Sequence, residues 1–143
     1  MQSKLLQNDA TRTFAVVLDP GEEVTEGLLR FAREHDLSAA RLTALGAFER
    51  ATLAFFDVDD RDYEEIPIDE QVEVLTLTGN ITRHEGAPKL HAHAVLGKRD
   101  GTTRGGHLLE AYVRPTLEVM LVETPSHLER QMDEETGLPL LRL

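Results

Sequence analysis

No cysteine occurs in the 143 residues, which excludes disulfide bonds and thiolate metal sites together. Any bound metal must therefore be held by imidazole, carboxylate, carbonyl or water. Long apolar runs are also missing. No stretch approaches the ~18 residues of a membrane-spanning helix, and the opening MQSKLLQNDA has no apolar segment of secretory length. The expectation is a cytoplasmic protein without membrane contact. Basic side chains are few: 15 Lys and Arg stand against 26 Asp and Glu, a formal net charge of −11. Phosphate backbones are repelled by such a surface, since nucleic-acid affinity comes from replacing counterions with clustered Lys and Arg, so direct DNA binding is disfavoured.

Several motifs are absent as well. Gly101, Gly105 and Gly106 lack the spacing of a phosphate-binding loop that opens a helix, and no serine occupies a nucleophile elbow. No solenoid repeat or low-complexity linker divides the chain, so residues 1–143 read as one domain. A domain of this length buries roughly 70% of its unfolded-chain surface, enough to fold without covalent staples.

What is present is mostly strand. Arg12–Leu18 is β-branched and aromatic and stops at the breaker Asp19-Pro20-Gly21. A helix should follow, with Glu22, Glu23 and Glu26 at its positive end, Arg30 and Arg33 at its negative end, and Val24, Leu28 and Phe31 forming an apolar stripe. Residues 41–45 and 51–56 read as strands around a bend or bulge at Gly46, and residues 57–62 as a polar turn. Residues 70–78 form the longest strand candidate, with Val72, Val74 and Thr76 on one face and a bend at Gly79-Asn80. Residues 89–97 and 106–113 should form a hairpin around the Asp100-Gly101 turn. Pro115 then restarts the chain as another strand over residues 116–122, and the tail closes over residues 136–141. The fold class is α/β of the α+β type: one helix packed on a mostly antiparallel sheet.

Histidine is where chemistry concentrates. His91 and His93 lie two apart on a strand, so both rings project from one face with Cα atoms ~6.6 Å apart. Across the hairpin stands His107, behind Gly105 and Gly106, which allow close backbone approach. Three neutral imidazoles leave a coordination position open, as at catalytic or exchangeable zinc. The competing reading is a pair of half-buried histidines satisfied by backbone carbonyls. His84 and His35 suit structural or exposed places, and His127, after Pro125-Ser126, has no assigned role. Glu118 shares a strand face with Thr116, Met120 and Val122, where a semi-buried carboxylate needs a partner; it is a candidate fourth ligand, acceptor for an imidazole N–H or acid/base group, or else a hydrogen-bonded edge residue. Arg104 is a candidate anion contact in the same cavity, or else a solvated loop residue.

In order and spacing, the Leu90-His-Ala-His-Ala run, Asp100-Gly101, Gly105-Gly-His-Leu-Leu109 and Pro115-Thr-Leu-Glu-Val119 closely resemble the plants-and-prokaryotes conserved (PPC) domain. Leu18-Asp-Pro-Gly-Glu22, Ala44-Leu-Gly-Ala47, residues 73–79, Arg130, Asp133 and Thr136-Gly-Leu138 also look like family positions. The resemblance implies a β-sheet with a helix packed on it, a homotrimer, and a metal at the positions of His91, His93 and His107. It also implies a likeness in fold to acetolactate decarboxylase, a zinc enzyme with a histidine cluster in its sheet. Plant relatives carry an AT-hook that binds DNA beside this domain; no Arg-Gly-Arg-Pro core occurs here. The leading expectation is a trimeric metal-binding domain of unassigned chemistry, holding Zn2+ or a similar divalent transition metal whose identity three imidazoles do not fix. Two alternatives stand beside it. One is a metal-dependent enzyme acting on a small oxo- or hydroxy-acid, with Glu118 or Arg104 assisting. The other is a non-catalytic assembly or regulatory module, associated with DNA through a partner.

Overall fold

A computed structural model describes residues 1–124 and 127–143; Pro125 and Ser126, which precede His127 in the sequence reading, lie outside the described residues. In chain order the elements are β1 (Gln2–Asn8), β2 (Arg12–Leu18), α1 (Val24–Glu34), β3 (Ala39–Asp57), β4 (Asp62–Ile68), β5 (Val72–His84), β6 (Ala87–Gly97), β7 (Thr103–Glu123), β8 (Glu129–Met132) and β9 (Pro139–Arg142). All paired strands are antiparallel except β5 and β8. Among the described residues no helix is long and apolar enough to cross a membrane.

The pairings β3–β5, β5–β6, β6–β7 and β7–β3 return to their starting strand, so four strands form a closed circuit. Closure removes free edges from the strands that carry the histidines. The remaining strands branch outward, β2 and β1 from β7, β4 from β3, and β8 and β9 from β5. Phe14, Val16 and Leu18 of β2, with Leu42, Leu77, Leu96, Leu117 and Leu121, bury one face of the sheet. Against them α1 sets Val24, Leu28 and Phe31, all at most 1% exposed. Each such side chain contributes about 1.5–3 kcal/mol by leaving water. Glu23 caps the helix by accepting from the Thr25 and Glu26 amides, and it also accepts from the Ala111 amide of β7, which ties the helix start to the sheet.

Several sequence expectations are corrected. Residues 39–57 are one strand rather than two, and Gly46 marks a bulge within it, at φ +154°. A Cβ there would lie 2.2 Å from the Thr116 carbonyl oxygen, so only glycine lets β3 and β7 approach. Gly79-Asn80 does not bend β5, which runs on to His84. Instead Gly79 brings β5 against β6, where a Cβ would stand 2.5 Å from the His91 carbonyl oxygen. A bulge between Val74 and Thr76 turns Thr76 to the exposed face while Val72 and Val74 stay buried. β7 likewise continues through Pro115 instead of restarting after it. Three strands, β1, β4 and β8, had no expectation. β1 is exposed throughout and draws its order from pairing with β2, and β4 alternates too weakly to stand out.

Candidate metal centre

Alternation places the histidines on the face of the sheet opposite the core. On β6, His91 and His93 alternate with buried Ala92, Ala94 and Leu96, and on β7 His107 precedes buried Leu108. His93 and His107 are direct cross-strand partners. The step that seats His107 is at Gly106: a Cβ there would meet the Ala54 carbonyl oxygen of β3 at 2.7 Å. Gly105 has ordinary room, 3.5 Å to the nearest atom, so the close approach expected of both glycines belongs to Gly106.

The three rings meet. Their centroids are 5.1, 5.3 and 5.4 Å apart, and one nitrogen from each lies within 4.8 Å of the others. His91 Nε2 and His93 Nε2 are 3.2 Å apart. A tetrahedral zinc with bonds of about 2.0–2.1 Å sets its ligand nitrogens roughly 3.3 Å apart, so this pair already has the spacing an ion needs. The donor set fits a borderline-soft divalent transition metal. His107 has its pKa pushed down to about 4 by burial first, then by His91, His93 and Lys89. Burial, then Arg130 and His93, also lower His91. The neutral form that a metal requires is thus the resting form of these two rings at neutral pH.

Beside the rings opens a cavity of about 300 Å³, lined among others by Tyr63, Lys89, His91, His107, Arg130 and Leu140. Tyr63 stacks on His107 with centroids 4.9 Å apart, and burial raises its pKa. Arg130 is 8% exposed. It donates to Thr82 Oγ1 at 2.8 Å, the Pro139 carbonyl at 2.9 Å and Asn80 Oδ1 at 2.7 Å, and its Nη2 lies 3.4 Å from His91 Nδ1. A guanidinium only donates, so in this long contact Nδ1 stands on the accepting side. A metal ligand more commonly donates its second nitrogen to a carbonyl or carboxylate. An ion held at Nε2 with Nδ1 donating in that usual way would require Arg130 to yield. His84 Nδ1 donates to the Arg130 carbonyl at 3.1 Å, helping to fix β8 on β5.

The other sequence candidates lie elsewhere. Glu118 is exposed, not semi-buried. From His93 the row across the sheet runs through Thr78 and Thr43 to Met120, two residues from Glu118. Three strand spacings are roughly 14 Å, beyond the reach of a glutamate. Thr116 packs its backbone on Gly46 near that same region. Arg104 pairs with Leu96, which puts it on the face away from the histidines, and it is exposed. His127 Nδ1 lies 2.6 Å from Ser38 Oγ, and His35 caps α1 against Phe14 and Phe31. Arg130, Lys89, Tyr63 and Asn80 had no role in the sequence reading. Only the family likeness at Arg130, Asp133 and Thr136-Gly-Leu138 pointed there. Asp133 accepts from the Thr136 amide and hydroxyl in the β8–β9 turn, which lays residues 138–140 along the cavity.

The chain is similar to the metal-containing protein AF0104 of Archaeoglobus fulgidus, 32% identical with a TM-score of 0.87, covering 98% of this chain and 99% of that one. It is also similar to a structure from Ralstonia eutropha JMP134 described as a "putative DNA-binding protein", 29% identical with a TM-score of 0.85, over 91% and 90% of the two chains. The bifunctional protein GlmU of Synechococcus sp. (strain JA-3-3Ab) is 30% identical over 135 residues, 92% of this chain but 20% of that protein, so the chain spans about a fifth of this curated relative. The family model described as the Plants and Prokaryotes Conserved (PCC) domain matches residues 6–125. A match over that much of the sequence shows that the chain belongs to the Plants and Prokaryotes Conserved (PCC) domain family.

Proposed function

We propose that the protein is a metal-binding domain in which His91, His93 and His107 hold one divalent transition ion, zinc or a similar metal, with the open coordination position facing the adjoining cavity. The observation that carries this reading is the convergence of three imidazole nitrogens within 4.8 Å, two of them 3.2 Å apart. The metal-containing relative from Archaeoglobus fulgidus supports it. A bound ion of this kind polarises a carbonyl or lowers the pKa of water. The chain's own part is to keep His91 and His107 neutral, to cover His107 with Tyr63 and to admit a small molecule. Metal analysis of protein purified without a histidine tag tests the reading. One ion per chain is expected, lost in a His91→Ala, His93→Ala, His107→Ala triple variant that keeps its fold. No stoichiometric metal in the parent protein ends it.

Assembly as a homotrimer belongs to the same proposal. The sheet face that carries the histidines also bears Leu45, 62% exposed, and Met120, 46% exposed, beside Ala15, Val17, Thr43 and Thr76, with Glu118 the charged group among them. Such an apolar, charge-poor face on a strongly acidic chain favours further copies of itself as its occupant. A non-catalytic assembly or regulatory role is the second reading, favoured by the description of the Ralstonia eutropha relative. In that role any DNA contact runs through a partner, because the net charge of −11 opposes direct binding.

A further inference from the structure

The cavity reverses the charge balance of the chain. Acids outnumber bases 26 to 15 overall, yet Lys89 and Arg130 line the cavity and, among the described residues, no carboxylate does. Arg130 is the sharper anomaly. Its partners are a hydroxyl, an amide oxygen, a carbonyl and an imidazole, all neutral, and among the described residues it forms no ion pair. Burying a charge without a counter-charge is costly, and proteins ordinarily compensate it. Lys89 is likewise without an acidic partner among the described residues. Much of the remaining lining is apolar and forms a leucine-rich wall, with Leu90, Leu109 and Leu140.

From these observations we propose that the cavity is a binding site for a small organic carboxylate, its anionic group held by the charges of Arg130 and Lys89 and its short carbon chain lying on the leucine wall. A volume of about 300 Å³ is at the small end of ligand pockets, which limits the ligand to a short-chain acid. His91 and His107 also line the cavity, so the carboxylate sits next to the open position of the metal reading above and deepens that reading without depending on the ion. The anion contact thus falls to Arg130 and Lys89, not to Arg104.

Butyrate and its neutral isostere butyramide are the probes. In two-dimensional amide NMR, butyrate saturably shifts the amides of Leu90, His91, Leu109 and Leu140, and butyramide does so at least tenfold more weakly. Lys89→Gln, an exposed position with no structural bond, weakens butyrate at least fivefold; Arg130→Gln weakens it further if it folds. Inorganic phosphate is the third probe and binds more weakly than butyrate, having no carbon chain. Equal binding of butyramide, equal binding of phosphate, or an unchanged Lys89→Gln variant overturns the carboxylate site. Zinc titration on the same sample separates the two readings: metal uptake with no butyrate response sinks this inference alone, and butyrate binding with no metal uptake sinks the metal centre alone.

Discussion

Replacing Gly106 by alanine puts a Cβ 2.7 Å from the Ala54 carbonyl oxygen, with the Ala54 carbonyl carbon and amide nitrogen at 3.4 Å. All three atoms are backbone of a central strand and cannot rotate away. Either β7 lifts off β3 or the pairing of Ala54 with His107 shifts, and overpacking of this kind costs about 1–3 kcal/mol. The same change at Gly105 meets its nearest atom at 3.5 Å, ordinary contact, and removes glycine entropy from the unfolded chain, for a gain of about 0.4–1 kcal/mol. The two neighbours should therefore move in opposite directions. At roughly 3–4 °C per kcal/mol for a domain of this size, thermal unfolding should separate the variants by at least about 4 °C. Gly106→Ala should also lose at least tenfold in zinc affinity, because His107 is carried with the displaced strand, while Gly105→Ala stays within a factor of about three. Equal melting temperatures for the two variants would refute the argument that Gly106, and not Gly105, sets the approach of β7 to β3 beside His107.

Five further outcomes follow from the geometry and the charge. In chelator-treated protein, NMR of the imidazole protons should place the His107 titration near pH 4, and a value above 6 contradicts the burial described. Because the unfolded ring protonates at its ordinary pKa, above the folded one, stability should be fully present above about pH 6.5 and fall as pH drops toward 4; urea titrations across that window show whether it does. His93→Ala, at an exposed site, should leave the melting temperature within about 2 °C and reduce zinc affinity at least a hundredfold by calorimetry. Met120→Glu should shift light-scattering mass from about three times 16.0 kDa toward a single chain, and an unchanged trimer would place the contact elsewhere. Gel retardation should detect no direct complex with duplex DNA even at low ionic strength; a salt-sensitive shift would revive nucleic-acid binding.

The helix and the histidine ribbon were legible because each rests on a local period. Val24, Leu28 and Phe31 repeat at helical spacing, and His91 and His93 at strand spacing, so their faces follow without knowledge of the rest. His107 was reachable because Asp100-Gly101 marks the turn joining its strand to theirs. Long strands were harder. β3 and β7 carry bulges near Gly46 and Pro115 that look like stops, because a break in alternation and a break in the strand read alike until the pairing partner is known. Glu118 was misplaced for the same reason: its periodicity was right, but which strands lie between it and the histidines is a matter of topology. Arg130 could not be found from pattern at all, since its burial depends on Thr82 and Asn80, some 50 residues upstream, and on a short parallel pairing of β8 with β5.

The direct opposition of His93 and His107 has one more implication. Two of the three donors are spaced by main-chain hydrogen bonding between adjacent strands of a closed circuit, so their separation is inherited from the backbone and not negotiated by side-chain packing. Substitutions can accumulate on either surface without retuning the chelate. An ion bound as proposed would act as a rivet across the ribbon and slow amide exchange in residues 93–107 far more than in the outlying first strand.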